Sequence, residues 1–93
     1  MYTIYEEAFK NCKALKNVSI ASTAWQMEIK ESAFENCISL ENVEIKNVNN
    51  IEIRAFKGCS SLTSFDTVAS IVNVGDYAFQ NCMRLQSVRI GNN

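Results

Sequence analysis

The chain has 93 residues, enough for one domain, and a globule of that size buries only about two thirds of its unfolded surface. Apolar residues make up 47% and charged residues 20%, which excludes a disordered segment and fits a folded domain. A formal net charge of −1 with dispersed Lys and Arg leaves no footprint for nucleic acid or an anionic membrane, and no apolar run approaches the roughly 18 residues of a membrane span.

The first residues, Met1-Tyr2-Thr3-Ile4-Tyr5-Glu6-Glu7, lack the basic and apolar regions of a signal peptide. Proline is absent, so nothing marks a rigid linker or boundary, and residues 1–93 are expected to form a single domain. Aligning the chain on Ala-Phe gives four copies, at Ala8-Phe9, Ala33-Phe34, Ala55-Phe56 and Ala78-Phe79, spaced by 25, 22 and 23 residues. A cysteine follows each Phe by three residues (Cys12, Cys37, Cys59, Cys82), and a leucine follows each cysteine by three (Leu15, Leu40, Leu62, Leu85).

Behind each leucine an alternating pair, Val18 and Ile20, Val43 and Ile45, Phe65 and Thr67, Val88 and Ile90, has the period of a half-buried strand. Parallel strands are therefore predicted at about residues 17–20, 42–45, 64–67 and 87–90. Four residues before each Ala stands a β-branched residue, Ile4, Ile29, Ile51 or Val74, which suggests a shorter return strand. Before each cysteine stands Asn11, Asn36, Gly58 or Asn81, residues that tolerate positive φ and imply a tight turn. Glu6, Glu31 and Asp76, two residues before the Ala, would suit the amino end of a short helix, so one or two helical turns per repeat are expected. The stripe Ile4, Ala8, Cys12, Leu15 also fits a longer amphipathic helix, but Asn or Gly at one phase four times argues against it.

A period of 22 to 25 residues with one strand and one short turn falls within the range of leucine-rich repeats. The expected fold is a leucine-rich-repeat solenoid of the α/β horseshoe type, with a parallel sheet, short helical turns and about four repeats. The unit I-x-x-x-A-F-x-x-C-x-x-L-x-x-V-x-I resembles the BspA-like, or Treponema-type, leucine-rich repeat over nearly the whole chain. That resemblance implies a cell-surface or secreted location and a role in adhesion or protein interaction, with a host or cell-surface protein or a glycan as ligand. The chain departs from the family pattern where Ala21, Lys46, Val68 and Gly91 replace a proline often found after the strand, and where the glycine after the return-strand residue survives only as Gly75.

The four cysteines are not in C-x-x-C spacing and no histidine accompanies them, so they are expected to be reduced, buried members of a structural ladder with Phe9, Phe34, Phe56 and Phe79. No metal, cofactor or catalytic residue is expected: without His the usual general base and nucleophile activator are missing, and no carboxylate pair is singled out. Asn17-Val18-Ser19 matches a glycosylation sequon but falls within a predicted strand. Trp25 and Met27 lie in the longest inter-repeat segment, where they either cover the core edge or offer an aromatic anchor to a partner.

If Val18 and Ile20 point inward, then Asn17 and Ser19, Asn42 and Glu44, Ser64 and Asp66, and Ser87 and Arg89 form an outward polar strip with an acidic centre. Ser19, Glu44, Asp66, Arg89 and Trp25 are the candidate partner-binding residues; the alternative is a solubilising face on a passive spacer within a longer surface protein. The fourth copy lacks the return segment of its predecessors, which points to a piece of a longer array. Its open ends, exposing Ile4, Phe9, Leu15 and Val18 at one side and Phe79, Leu85, Val88 and Ile90 at the other, predict end-to-end self-association.

Overall fold

The computed structural model describes residues 2–21, 27–67 and 73–90. Each A-F-x-x-C-x-x-L segment leads into a strand: β2 (Asn17–Ile20), β4 (Asn42–Ile45), β6 (Ser64–Thr67) and β8 (Ser87–Ile90). The return strands are β1 (Tyr2–Ile4), β3 (Met27–Ile29), β5 (Val48–Ile51) and β7 (Asn73–Val74). They assemble into two four-stranded sheets, ordered β1-β3-β5-β7 and β2-β4-β6-β8, and every pairing is parallel. Parallel neighbours need a crossover between them, and here the crossover of each sheet is the strand of the other, which winds the chain into a β-solenoid.

From β1 to β7 the solenoid completes about three turns, where the count of Ala-Phe motifs predicts four repeats. The fourth passage contributes β7 and β8 with no further return strand among the described residues. A register shift between Met27 and Glu28, opposite Val48 and Asn50, accommodates one extra residue in β5.

The expected helical turns are not found: there is no helix among the described residues, and residues 6–11, 31–36, 53–58 and 76–81 are runs of consecutive turns. The backbone enters the left-handed region twice in each run. One entry precedes the cysteine, at Asn11, Asn36, Gly58 and Asn81; the other precedes the Ala, at Glu7, Ser32, Arg54 and Tyr77, with φ between 56° and 77° throughout. No α-helix survives such reversals. Their effect is to send successive N–H groups in different directions. Ala33, Glu35 and Cys37 donate to carbonyls three residues back in their own coil, whereas Ser32, Phe34 and Asn36 donate to Ile53, Ala55 and Lys57 of the next. The same alternation joins the first coil to the second and the third to the fourth, as in the Phe9 N–H to Ala33 bond and the Phe56 N–H to Ala78 bond, both 2.8 Å. The turn side is thus a third hydrogen-bonded wall.

Inside these walls lie Ile29, Phe34, Leu40, Val43, Ile45, Ile51, Phe56, Leu62 and Phe65, all essentially without solvent contact. The Phe rings stack along the solenoid: Phe9 on Phe34 at 5.2 Å, Phe34 on Phe56 at 5.1 Å and Phe56 on Phe79 at 5.4 Å, each pair within 8° of parallel. Phe65 takes the strand position that is valine in the other coils and meets Phe56 and Phe79 edge-on.

Thr67 interrupts the isoleucine row of Ile20 and Ile45; it is buried, and its hydroxyl has no partner among the described residues. Leaving a buried hydroxyl unpaired is costly. Thr67→Val is therefore expected to raise unfolding stability by about 1 kcal/mol in urea titrations, with unchanged slope. Gly58 has φ of 77°, and a Cβ there would collide with the Asn36 carboxamide of the coil before it. Gly58→Ala is expected to cost about 1–2 kcal/mol, and Asn36→Gly in that background to recover part of the loss in the same titration.

Candidate functional site

Alternation along β2, β4, β6 and β8 directs Val18, Val43, Phe65 and Val88 inward and places the intervening residues on the outer face. Register then sorts the outer residues into two columns. The first is Asn17, Asn42, Ser64 and Ser87, and it is knitted together: the Asn42 carboxamide donates to Asn17 Oδ1 at 3.1 Å, and the Ser64 hydroxyl donates to Asn42 Oδ1 at 3.0 Å. The second is Ser19, Glu44, Asp66 and Arg89.

Ser19, Glu44 and Arg89 are exposed and Asp66 is half-buried. Glu44 and Asp66 sit opposite each other on adjacent strands, so two carboxylates meet at the centre of the face. Lys46 lies 3.6 Å from Glu44, and Arg89 Nε lies 3.9 Å from Asp66 Oδ1, beyond hydrogen-bonding distance. Pairs this exposed contribute little to stability, which leaves Glu44 and Arg89 available to outside groups, whereas Asp66 Oδ1 is itself buried and lacks a hydrogen-bond partner among the described residues, so Asp66 presents only the rest of its side chain. The structure thus brings four of the five candidate residues into one column; Trp25 falls in residues 22–26, outside the described residues.

Sequence reasoning did not single out the outer face of the other sheet. There Asn50 donates to Glu28 Oε2 at 3.2 Å and Asn73 donates to Asn50 Oδ1 at 3.0 Å, while Lys30 bridges Glu52 at 3.1 Å and Glu28 at 3.4 Å. Hydrogen bonding to Glu52, ahead of the contact with Glu28, holds the Lys30 ammonium above its ordinary range. The alternation of Glu28 between Met27 and Ile29 was the available signal, but a three-residue strand gives period-2 reasoning little to work on.

The cysteines occupy the seam between the turn wall and the main strands. Each thiol after the first reaches back one coil: Cys37 to the Phe9 carbonyl at 3.0 Å, Cys59 to Phe34 and Cys82 to Phe56, both at 3.1 Å. Cys37 and Cys59 are buried, Cys12 and Cys82 half-buried, and all four are free thiols. Contacts with the neighbouring thiols of Cys37 and Cys82, together with burial, push the Cys59 pKa far up, so it stays protonated and unreactive. Among the described residues no group of three or more His, Cys, Asp or Glu side chains is placed to hold a metal ion, and no helix is long and apolar enough to cross a membrane.

Parallel coils, stacked phenylalanines and a thiol ladder define a leucine-rich β-solenoid. More narrowly, residues 1–93 match the family model for the BspA type leucine-rich repeat region, in six copies, and the chain belongs to that family. Comparison with curated proteins finds no match, and comparison with solved structures finds none.

The burial gradient sets an order of reaction. A thiol reagent applied to the native protein is expected to label Cys12 and Cys82 first and to leave Cys37 and Cys59 unmodified until denaturant is added, as read by mass spectrometry of the digest. Equal rates at all four sites would contradict it.

Proposed function

We propose that this chain is a non-catalytic interaction module that binds a protein or glycan through the outer face of the β2-β4-β6-β8 sheet, with Ser19, Glu44, Asp66 and Arg89 as contact residues. The observation that carries this reading is the register that lines up these four side chains across successive strands. Side chains projecting from a hydrogen-bonded sheet are pre-organised, so a ligand meeting them loses little conformational freedom of the protein on binding. The acidic pair Glu44 and Asp66 favours a ligand that presents basic or hydrogen-bond-donating groups. Membership of the BspA-type family supports an interaction role, and adhesion at a cell surface is the form we infer for it.

A passive spacer is the second reading. It is favoured by the way outer polar groups satisfy one another, as Asn17, Asn42 and Ser64 do. The two readings part under substitution. On arrays of immobilised proteins and glycans, an interaction module retains specific ligands that the Glu44→Lys, Asp66→Lys double variant loses by at least tenfold in affinity, with thermal stability within about 1 kcal/mol of the parent. Retention unchanged by the charge reversals, or no specific retention at all, would favour the spacer.

A further inference from the structure

We propose that Asn17 is the acceptor site for an N-linked glycan, carried on the outer face of β2. The proposal rests on the cell-surface location inferred above for the route that would bring the chain to a glycosylating enzyme.

The motif is Asn17-Val18-Ser19, an asparagine with a hydroxyl two residues on and no proline between, the pattern that oligosaccharide transfer requires. Its place in a strand is no obstacle. In an extended backbone residues two apart project to the same side, so the Asn17 carboxamide and the Ser19 hydroxyl share one face while Val18 turns inward. Both polar side chains are exposed, and Val18 between them is half-buried. That exposure belongs to the face, because Asn42, with a strand on either side, is exposed as well. The second coil also supplies the contrast. Asn42 pairs with Asn17 in register, but Glu44 stands where the motif needs a hydroxyl, and Ser64 and Ser87 hold the asparagine's place in the other coils. The outer column therefore carries the motif at Asn17 alone.

The hydrogen bonding of that column is compatible with the modification. Asn17 takes part through Oδ1, which accepts from the Asn42 carboxamide at 3.1 Å. Transfer replaces one hydrogen on Nδ2 and leaves Oδ1 and the second N–H in place. The donor is an oligosaccharide held on a lipid diphosphate. Nδ2 forms a bond to its anomeric carbon, and the bond from that carbon to the diphosphate oxygen breaks with the electron pair leaving on oxygen. The proton lost from Nδ2 passes to a base of the transferring enzyme. The sugar would then stand beside Ser19, with Glu44 on the next strand still open to a ligand.

The full chain, secreted from animal cells behind a cleavable leader, tests this. The product is expected to run heavier on a gel than the same chain made in bacterial cytosol. Peptide-N-glycosidase should abolish the shift and leave an aspartate at position 17 in the digest. Asn17→Gln and Ser19→Ala should each lose the shift, and Ser19→Thr should keep it, because threonine retains the hydroxyl. All three substitutions fall on exposed side chains, so secretion should be unchanged. A parent without the shift, or a shift that persists in Asn17→Gln or in Ser19→Ala, would overturn the proposal. So would a glycosylated parent retained in the cell while Asn17→Gln is secreted, since the outer face would then fail to accommodate the sugar. The array measurement stays separate: a glycosylated chain that binds nothing sinks the interaction reading alone, and a chain that binds without acquiring the sugar sinks this one.

Discussion

Everything in this molecule depends on how the turn wall disposes of its backbone N–H groups. A segment such as Ser32 to Cys37 cannot be left unbonded at the edge of a core, and a helix would close its bonds within one coil. By entering the left-handed region twice, it instead directs alternate donors to the neighbouring coil, so three lateral bonds join each pair of coils where a helix would give none. A side chain in that region costs about 1–2 kcal/mol, and Glu7, Ser32, Arg54 and Tyr77 all bear it. The lateral bonds offset that cost and hold the coils close enough for Phe34 and Phe56 to stack at 5.1 Å.

The contribution of the sequence to this picture was uneven. Strand positions were legible because Val18 and Ile20, and their equivalents, alternate against a fixed Leu, and the four-fold repetition removed the ambiguity of a short apolar run. Positive φ before each cysteine was legible because Asn and Gly announce it. Positive φ before each Ala was not: Glu7, Ser32, Arg54 and Tyr77 share no chemistry, and nothing in their side chains favours that conformation. The helical expectation failed for that reason, since one left-handed residue closes a helix and two within five residues abolish it. The return strands were legible only through Ile4, Ile29, Ile51 and Val74, and the polar ladder over Glu28, Asn50 and Asn73 was illegible because strands that short give no alternation to read.

The candidate face owes its geometry to the same winding. A parallel ladder in register converts one position per coil into a straight column, so Ser19, Glu44, Asp66 and Arg89 need no loop to bring them together. Their identities and the acidic centre at Glu44 and Asp66 were legible; the hydrogen bonds that tie together the neighbouring column of Asn17, Asn42 and Ser64 emerged only with the structure. Polar groups on a sheet this regular hold their spacing, and that spacing, rather than any enclosed pocket, defines what the face can match.

The thiol contacts carry a further consequence. Cys37, Cys59 and Cys82 each donate to a carbonyl of the coil before and otherwise meet only thiols of adjacent coils, and the stacked Phe rings likewise touch only the coils beside them, so cohesion is passed along the axis from neighbour to neighbour. In such a one-dimensional lattice a terminal coil has one supporting neighbour and an inner coil has two. Among the described coils exposure follows that count of neighbours, from 41% at Phe9 and 40% at Val88 to none at Phe56 and Cys59, so a coil's protection from solvent is a property of its neighbours more than of its own residues.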